Sequence, residues 1–341
     1  MSDTAQGWEA ITAALTAIYG EQEPSHWGTI VKFCLGGPDP LDGVSAYDAG
    51  DHYHYVSYGL SELYEKESEL EDQSGWGFEL TFRLKKRPDD ETPPIWPIIF
   101  LQNLARYVIE TSNILAAGDH MPANGPIASD EDTAIDSMLF TLDPELPVID
   151  TPNGKLAFHQ IVGITSDELR AAQSWNTDRF LDLMRQRSAK LVTDLDRSTY
   201  RNDPKFEAKL EAGRKEEGSS TDLTFVDNLQ CSEEGEGLFI SLGALWIESM
   251  LEVLPFRLPF GRDYYLIGED VEIRFSTGNP GFSRGEEGYQ VTLSADGARQ
   301  LRDSVKPLAG RYPLPGLPGV AFLVKKTEIK DSKGKITRIV G

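Results

Sequence analysis

The stretch Gly75–Leu84, GWGFELTFRL, constrains the fold more tightly than any other. Phe78, Leu80, Phe82 and Leu84 alternate with Glu79, Thr81 and Arg83. Side chains two apart on a strand share a face, so the pattern predicts a half-buried strand with its apolar residues inward. Gly75 and Gly77 flank Trp76 and predict a bend or bulge at the strand's entry. Pro93, Pro94 and Pro97 then break the chain. Ile98, Leu101, Leu104, Ala105 and Val108 follow at helical spacing, with Pro97 in the first turn. Strand, stiff loop and helix together make an α+β unit.

Upstream, Trp8, Ile11, Leu15 and Ile18 lie on one face of a helix that ends near Gly20. Ile30–Leu35 reads as a short strand. It enters Gly36-Gly37-Pro38-Asp39-Pro40-Leu41-Asp42, where the glycines and prolines exclude helix and ladder alike. His52–Tyr58 reads as a strand with His52 and His54 on one face. Ile135–Leu142 and Phe158–Ile164 are apolar enough for strands, and Ser166 opens a helical pattern that Asn176 and Thr177 divide.

From Lys190 to Thr221 the chain is charged and poor in large apolar groups, which predicts an exposed helix and a linker. Gln230–Gly237 is expected to mark a boundary. Leu238–Leu242, Tyr264–Ile267, Val271–Phe275, Tyr289–Leu293 and Val320–Val324 read as strands. Ser294–Val305 reads as a helix capped by Ser294, and the basic tail from Lys325 as frayed. The expected architecture is α+β in two domains, each a mixed or antiparallel sheet with packed helices. Residues 1–232 form the first, with 190–232 as its exposed helix and linker, and residues 233–341 the second.

Lys and Arg number 33 against 55 Asp and Glu, a formal net charge of −22. Such a chain repels phosphate backbones, so nucleic acid is not an expected partner. The N-terminus has no basic run ahead of an apolar one, and no stretch approaches the roughly 20 apolar residues that span a bilayer. A cytoplasmic location without a membrane partner is expected. Cys34 and Cys231 are too few for a disulfide framework or a thiolate zinc site.

The glycine-rich loop lacks the lysine and serine of a phosphate-binding loop. Asp39 and Asp42 are spaced for acid–base work, but Asp in such a loop more often accepts backbone N–H bonds. Gly36, Gly37, Pro38, Asp39, Pro40 and Asp42 are therefore read as a structural loop. His52 and His54, with Asp119 and His120, are a candidate metal set, although no HExxH is present. Cys34, in an apolar run, reads as inert packing.

The run IVKFCLGGPDPLDGVSAY, followed by HYHYVSYGLSELY, GWGFELTFRLK, WP, LARYV, GDH, QIVGIT and AQSWN, resembles the Suppressor of fused (Sufu domain) family. Order and spacing hold from about Ala14 to Leu183. Phe239–Leu242, Gly261–Tyr265 and Val271–Thr277 carry a fainter likeness to the family's second domain. The long insertion of animal members is missing, which with the acidity points to a bacterial member.

The resemblance implies a two-domain α+β protein without catalytic activity or cofactor. Animal members sequester Gli zinc-finger transcription factors by clamping an extended peptide between the domains, partly by strand addition. Bacterial members are associated, through gene context, with immunity in polymorphic toxin systems. Tyr107 in LARYV and Asp119 in GDH match the family's partner-binding positions, whereas Cys34 replaces a cleft tryptophan and Leu142 a cleft glutamate. The expected function is a non-enzymatic protein-binding module whose partner is a protein, a toxin or a basic peptide segment. The alternative is a metal- or small-ligand-binding enzyme using His52, His54, Asp119 and His120.

Overall fold

In the computed structural model, which describes residues 5–31, 33, 36–330 and 336–341, the alternating stretch lies in the middle of an eight-stranded sheet. The sheet belongs to the first of two units, Met1–Leu169 with Leu181–Thr199. Its strands are β1 (Ser25–Gly28), β2 (Gly43–Asp48), β3 (His52–Tyr58), β4 (Gln73–Lys85), β5 (His120–Pro122), β6 (Ser137–Leu142), β7 (Ile149–Thr151) and β8 (Gly154–Ile164). Their order is β1-β2-β3-β4-β8-β6-β5, with β7 also on β8. The central β4–β8 pair is parallel and the others are antiparallel. The bulge expected at the entry of β4 is present: the register with β8 shifts between Gln73 and Phe78. Gly75 and Gly77 have φ of 55° and 81° there, and a Cβ at Gly75 would lie 2.7 Å from the Leu60 carbonyl oxygen.

Both faces of this sheet are covered. Helix α2 (Trp96–Thr111), with Pro97 in its first turn, buries Leu101, Leu104, Ala105 and Val108 in one cluster with Phe78, Leu80, Phe82 and Leu84. Helix α1 (Gln6–Tyr19) packs Ile11 and Leu15 with Val56, Tyr58 and Phe158. One expectation is thereby corrected. Glu79, Thr81 and Arg83 do not face water; each is 0% exposed. The polar face of β4 is roofed by side chains from β3 and by the loops around Asp143 and Thr193, and Thr193 exchanges backbone bonds with Arg83 and Lys85. β3 is buried along its whole length.

The stretch Ile30–Leu35 is not the strand expected. Ile30, Val31 and Phe33 are exposed, while Lys32, Cys34 and Leu35 lie outside the described residues. Pairing with β2 runs instead through Ser25–Gly28 and ends at Gly43. Helices α3 (Ser166–Ser174) and α4 (Thr177–Arg185) are divided where Asn176 suggested.

The second unit is Arg170–Phe180 with Tyr200–Gly341. It begins its long segment with α5 (Pro204–Glu217), which is largely exposed but buries Phe206 and Leu210. Then follow β9 (Leu223–Phe225), β10 (Gln230–Glu234), β11 (Gly237–Gly243), α6 (Ala244–Arg257), β12 (Tyr264–Ile267), β13 (Glu272–Thr277), β14 (Gly281–Arg284), β15 (Gly288–Leu293), α7 (Ala295–Ser304), β16 (Gly310–Leu314), β17 (Leu317–Lys325), β18 (Thr327–Lys330) and β19 (Ile336–Val340). Two mixed sheets, β10-β11-β17-β16 and β14-β15-β13-β12-β9, share a core with α6 and α7 through residues such as Ile240, Leu254, Phe275, Leu301 and Phe322.

Ser294 caps α7 by accepting the Gly297 N–H, as the sequence suggested. The expected boundary at Gln230–Gly237 is a β10–β11 hairpin within this unit, acidic because β10 is an exposed edge strand. The tail read as frayed pairs β18 with β19. Among the described residues no helix is long and apolar enough to cross a membrane.

Candidate partner-binding site

Helix α2 organises the residues singled out as a binding surface. Its buried face sets the helix on the sheet, and the side chains one step round that face reach the glycine-rich loop. Gln102 accepts the Leu41 N–H (3.0 Å) and donates to the Leu41 carbonyl (2.9 Å), so one amide satisfies both backbone groups of a loop residue. One turn on, Arg106 lies 3.4 Å from the Asp39 carboxylate, a half-exposed pair of small net worth. Asp42 accepts the Tyr64 hydroxyl at 2.8 Å. Gly36 and Pro38 are exposed while Gly37 and Pro40 are buried, so the loop Gly36–Asp42 stays irregular and is tied at Leu41 and Asp42.

Tyr107 follows Arg106 on α2 and is half-buried; its hydroxyl accepts from the Asn113 side chain at 3.0 Å. The helix stops at Ser112, which adopts φ of 60°. A turn then carries Asp119. The Asp119 carboxylate accepts the Ala116 N–H at 2.7 Å, and the Gly118 N–H and Asp119 carbonyl bond the backbone of Phe140 on β6, each at 2.9 Å. Asp119 is exposed as a residue, but its carboxyl is tucked against the turn. That partial burial raises its pKa, opposed by the Ala116 N–H. β5 starts at the next residue, at the end of the sheet.

The candidate metal set does not converge. β3, with His52 and His54, and β5, with His120, are separated by β4, β8 and β6. Four strand spacings amount to roughly 19 Å, far beyond any coordination sphere. No group of three or more His, Cys, Asp or Glu able to hold a metal ion is found among the described residues.

His52 and His54 serve the polar face of β4 instead. His54 Nε2 lies 3.1 Å from Asp143 and Nδ1 lies 2.8 Å from the Tyr19 hydroxyl. A carboxylate accepts, so Nε2 carries the proton and Nδ1 accepts from Tyr19. Burial pushes the His54 pKa down to about 4, which keeps the ring neutral. Arg83 donates to both Asp143 oxygens (2.8 and 3.0 Å) and to Gln160 (3.2 Å), and Thr81 donates to Asp143 at 2.8 Å. Burial works against the Asp143 charge, but the His54 hydrogen bond and the Arg83 guanidinium outweigh it and hold the carboxyl well below its usual range. Glu79, next along the same face, accepts only from neutral donors: the hydroxyls of Ser57 and Ser61 and the N–H groups of Gly59 and Ser61. Burial therefore raises its pKa. Both ring nitrogens of His54 are engaged inside the fold, so the network holds strands together. Its one legible sign was the charged alternation of β4, which also fits a solvated face.

Comparison with known proteins bears on what this surface does. The family model of Suppressor of fused protein (SUFU) matches residues 37–198. The Suppressor of fused homologs of Homo sapiens and Mus musculus are each 38% identical over 234 residues, which is 63% of this chain and 48% of theirs. A chain of a Sufu–Fu complex crystal structure is 35% identical with a TM-score of 0.56, covering 61% of this chain and 98% of that one. This chain belongs to the Suppressor of fused family. That family is a non-enzymatic one. The crystal structure of Drosophila Suppressor of Fused superposes with a TM-score of 0.76 over 94% of this chain and 97% of its own at 24% identity, a likeness of fold. The chain spans about half the length of the curated relatives it matches, 48%.

Proposed function

We propose that this protein sequesters or neutralises a protein partner by clamping an extended segment of it between its two domains, with Tyr107 and Asp119 contacting that segment. The observation that carries the reading is the place of Asp119. It immediately precedes β5, a three-residue strand that ends its sheet, and the end strand of a sheet is where an added strand finds backbone donors and acceptors. In the second unit β9 ends its own sheet in the same way, with Leu223 and Phe225 exposed. A solved relative comes from a Sufu–Fu complex, which supports a protein as the partner.

A carboxylate desolvated by a peptide needs a cationic or hydrogen-bonding group beside it. With a net charge of −22, a basic segment is the favoured partner, bound quickly and with strong salt dependence. In a bacterial setting the partner is a toxin and the role is immunity. The test is affinity capture of the partner, then calorimetry on Asp119→Ala and Tyr107→Ala beside melting curves. Each substitution is expected to cost about 2–5 kcal/mol of binding where it breaks a buried polar pair. Wild-type affinity in both folded variants would sink the clamp.

A further inference from the structure

We propose that His159 is a positioning residue that sets the inner end of the Asp119 turn, an inference that rests on the reading of Asp119 as a partner contact. His159 lies on β8 and is 9% exposed. Its ring stacks on Phe78 of β4, with centroids 4.7 Å apart and planes 11° from parallel. Nδ1 lies 2.7 Å from the Leu115 carbonyl oxygen. A carbonyl only accepts, so Nδ1 carries the proton and donates.

Leu115 is the last buried point before the turn; its side chain belongs to the core cluster beneath α2. Beyond it the chain surfaces, and the turn closes on itself. The Ala116 N–H donates to the Asp119 carboxylate and the Asp119 N–H to the Ala116 carbonyl. Gly118 and Asp119 pin the outer end to Phe140. The bond from His159 fixes the inner end from a position 44 residues away in sequence. Stacking on Phe78 gives the ring one orientation, so the direction of the N–H and the place of the Leu115 carbonyl are set together. Two strands of the central sheet thus determine where the Asp119 carboxylate is presented.

The alternative is that His159 merely fills space against Phe78. His159→Phe keeps a ring for that stack and removes the donor, leaving the Leu115 carbonyl without its partner. His159→Asn restores an N–H near the same place without the ring. Amide hydrogen exchange of the free protein, read by NMR, separates the two. In His159→Phe the amides of Ala116, Gly118 and Asp119 are expected to exchange about ten- to a hundredfold faster, as for loss of one buried hydrogen bond. The carboxyl resonance of Asp119 shifts with them. The amides of Phe78–Phe82 keep wild-type rates, and His159→Asn returns the turn toward wild type. Unchanged rates at the turn in His159→Phe, or an equal rise through β4, would overturn the proposal. No partner enters this experiment, so its outcome is independent of the calorimetry on Asp119→Ala.

Discussion

The two faces of β4 are buried to the same depth by opposite chemistry. Phe78, Leu80, Phe82 and Leu84 pack against α2, where each side chain contributes roughly 1.5–3 kcal/mol by leaving water, whatever its neighbours' identity. Glu79, Thr81 and Arg83 are equally dry, and they are tolerated because partners such as Ser57, Ser61, Asp143, Glu145 and Gln160 meet their polar atoms. An apolar face degrades gradually as groups are removed. A polar one depends on its partners as a set, because each deletion leaves another group buried and unpaired.

The comparison breaks most sharply at Asp143 and Phe82. Phe82→Ala should cost about 3–5 kcal/mol through the cavity it leaves. Asp143→Ala should cost a similar amount, about 3–5 kcal/mol, because His54 and Thr81 lose their buried acceptor and Arg83 keeps only Glu145 as a carboxylate partner. Urea unfolding of the two variants checks this. A cost below about 1 kcal/mol for Asp143→Ala would show that water reaches the polar face.

A smaller effect follows from pH. His54 ordinarily titrates at 6.5 and is pushed down to about 4 by burial in the fold, and His120 is pushed down to about 4 in the same way. As pH falls, the unfolded chain binds these protons first. The contribution is therefore intact above 6.5 and is lost progressively as pH drops toward about 4. Each such group gives a slope of about 1.4 kcal/mol per pH unit. Urea midpoints measured at about pH 7 and about pH 5 should show the loss, and His54→Gln should reduce but not remove it. An identical slope in that variant would remove His54 as a cause.

Thr81→Ala sharpens the same comparison at lower cost. An exposed threonine, as the alternation alone suggests, would lose about 0.5 kcal/mol or less. Loss of its bond to Asp143 should instead cost about 0.5–1.5 kcal/mol by denaturant unfolding. Asp39→Asn is expected to have the smallest effect, below about 1 kcal/mol, because the Arg106 pair is half-exposed and long. A larger drop in melting temperature would give the glycine-rich loop a weight its contacts do not show.

The legible elements were those whose cause is local. α2 begins at its proline, β4 bulges at its glycines, Ser294 caps α7, and the Pro/Gly loop stays irregular. Helix α6 was hard to read. Ile247, Met250, Leu251 and Leu254 fall at helical spacing with Glu248 and Glu252 on the other side, but Leu245 and Trp246 interrupt the polar side and Pro255 argues against a helix. Gln230–Gly237 was read as a boundary because an acidic edge strand and a linker have the same composition. At the candidate site, Tyr107 and Asp119 stand out only through family resemblance, and His159 carries no sequence signal because its contact lies 44 residues away.

By itself the sequence determined conformation where a proline, glycine or cap residue sets it, the apolar face of strands such as β4, and membership of the family, since these rest on spacing within a few residues and on motifs in fixed order. Tertiary structure alone decided the order of strands. That order buried the polar face of β4, kept His52 and His54 roughly 19 Å from His120, and put β5 beside Asp119 at the end of the sheet. The reason is physical: alternation gives the direction of a side chain, but whether that direction meets water depends on which distant segments the sheet brings over it.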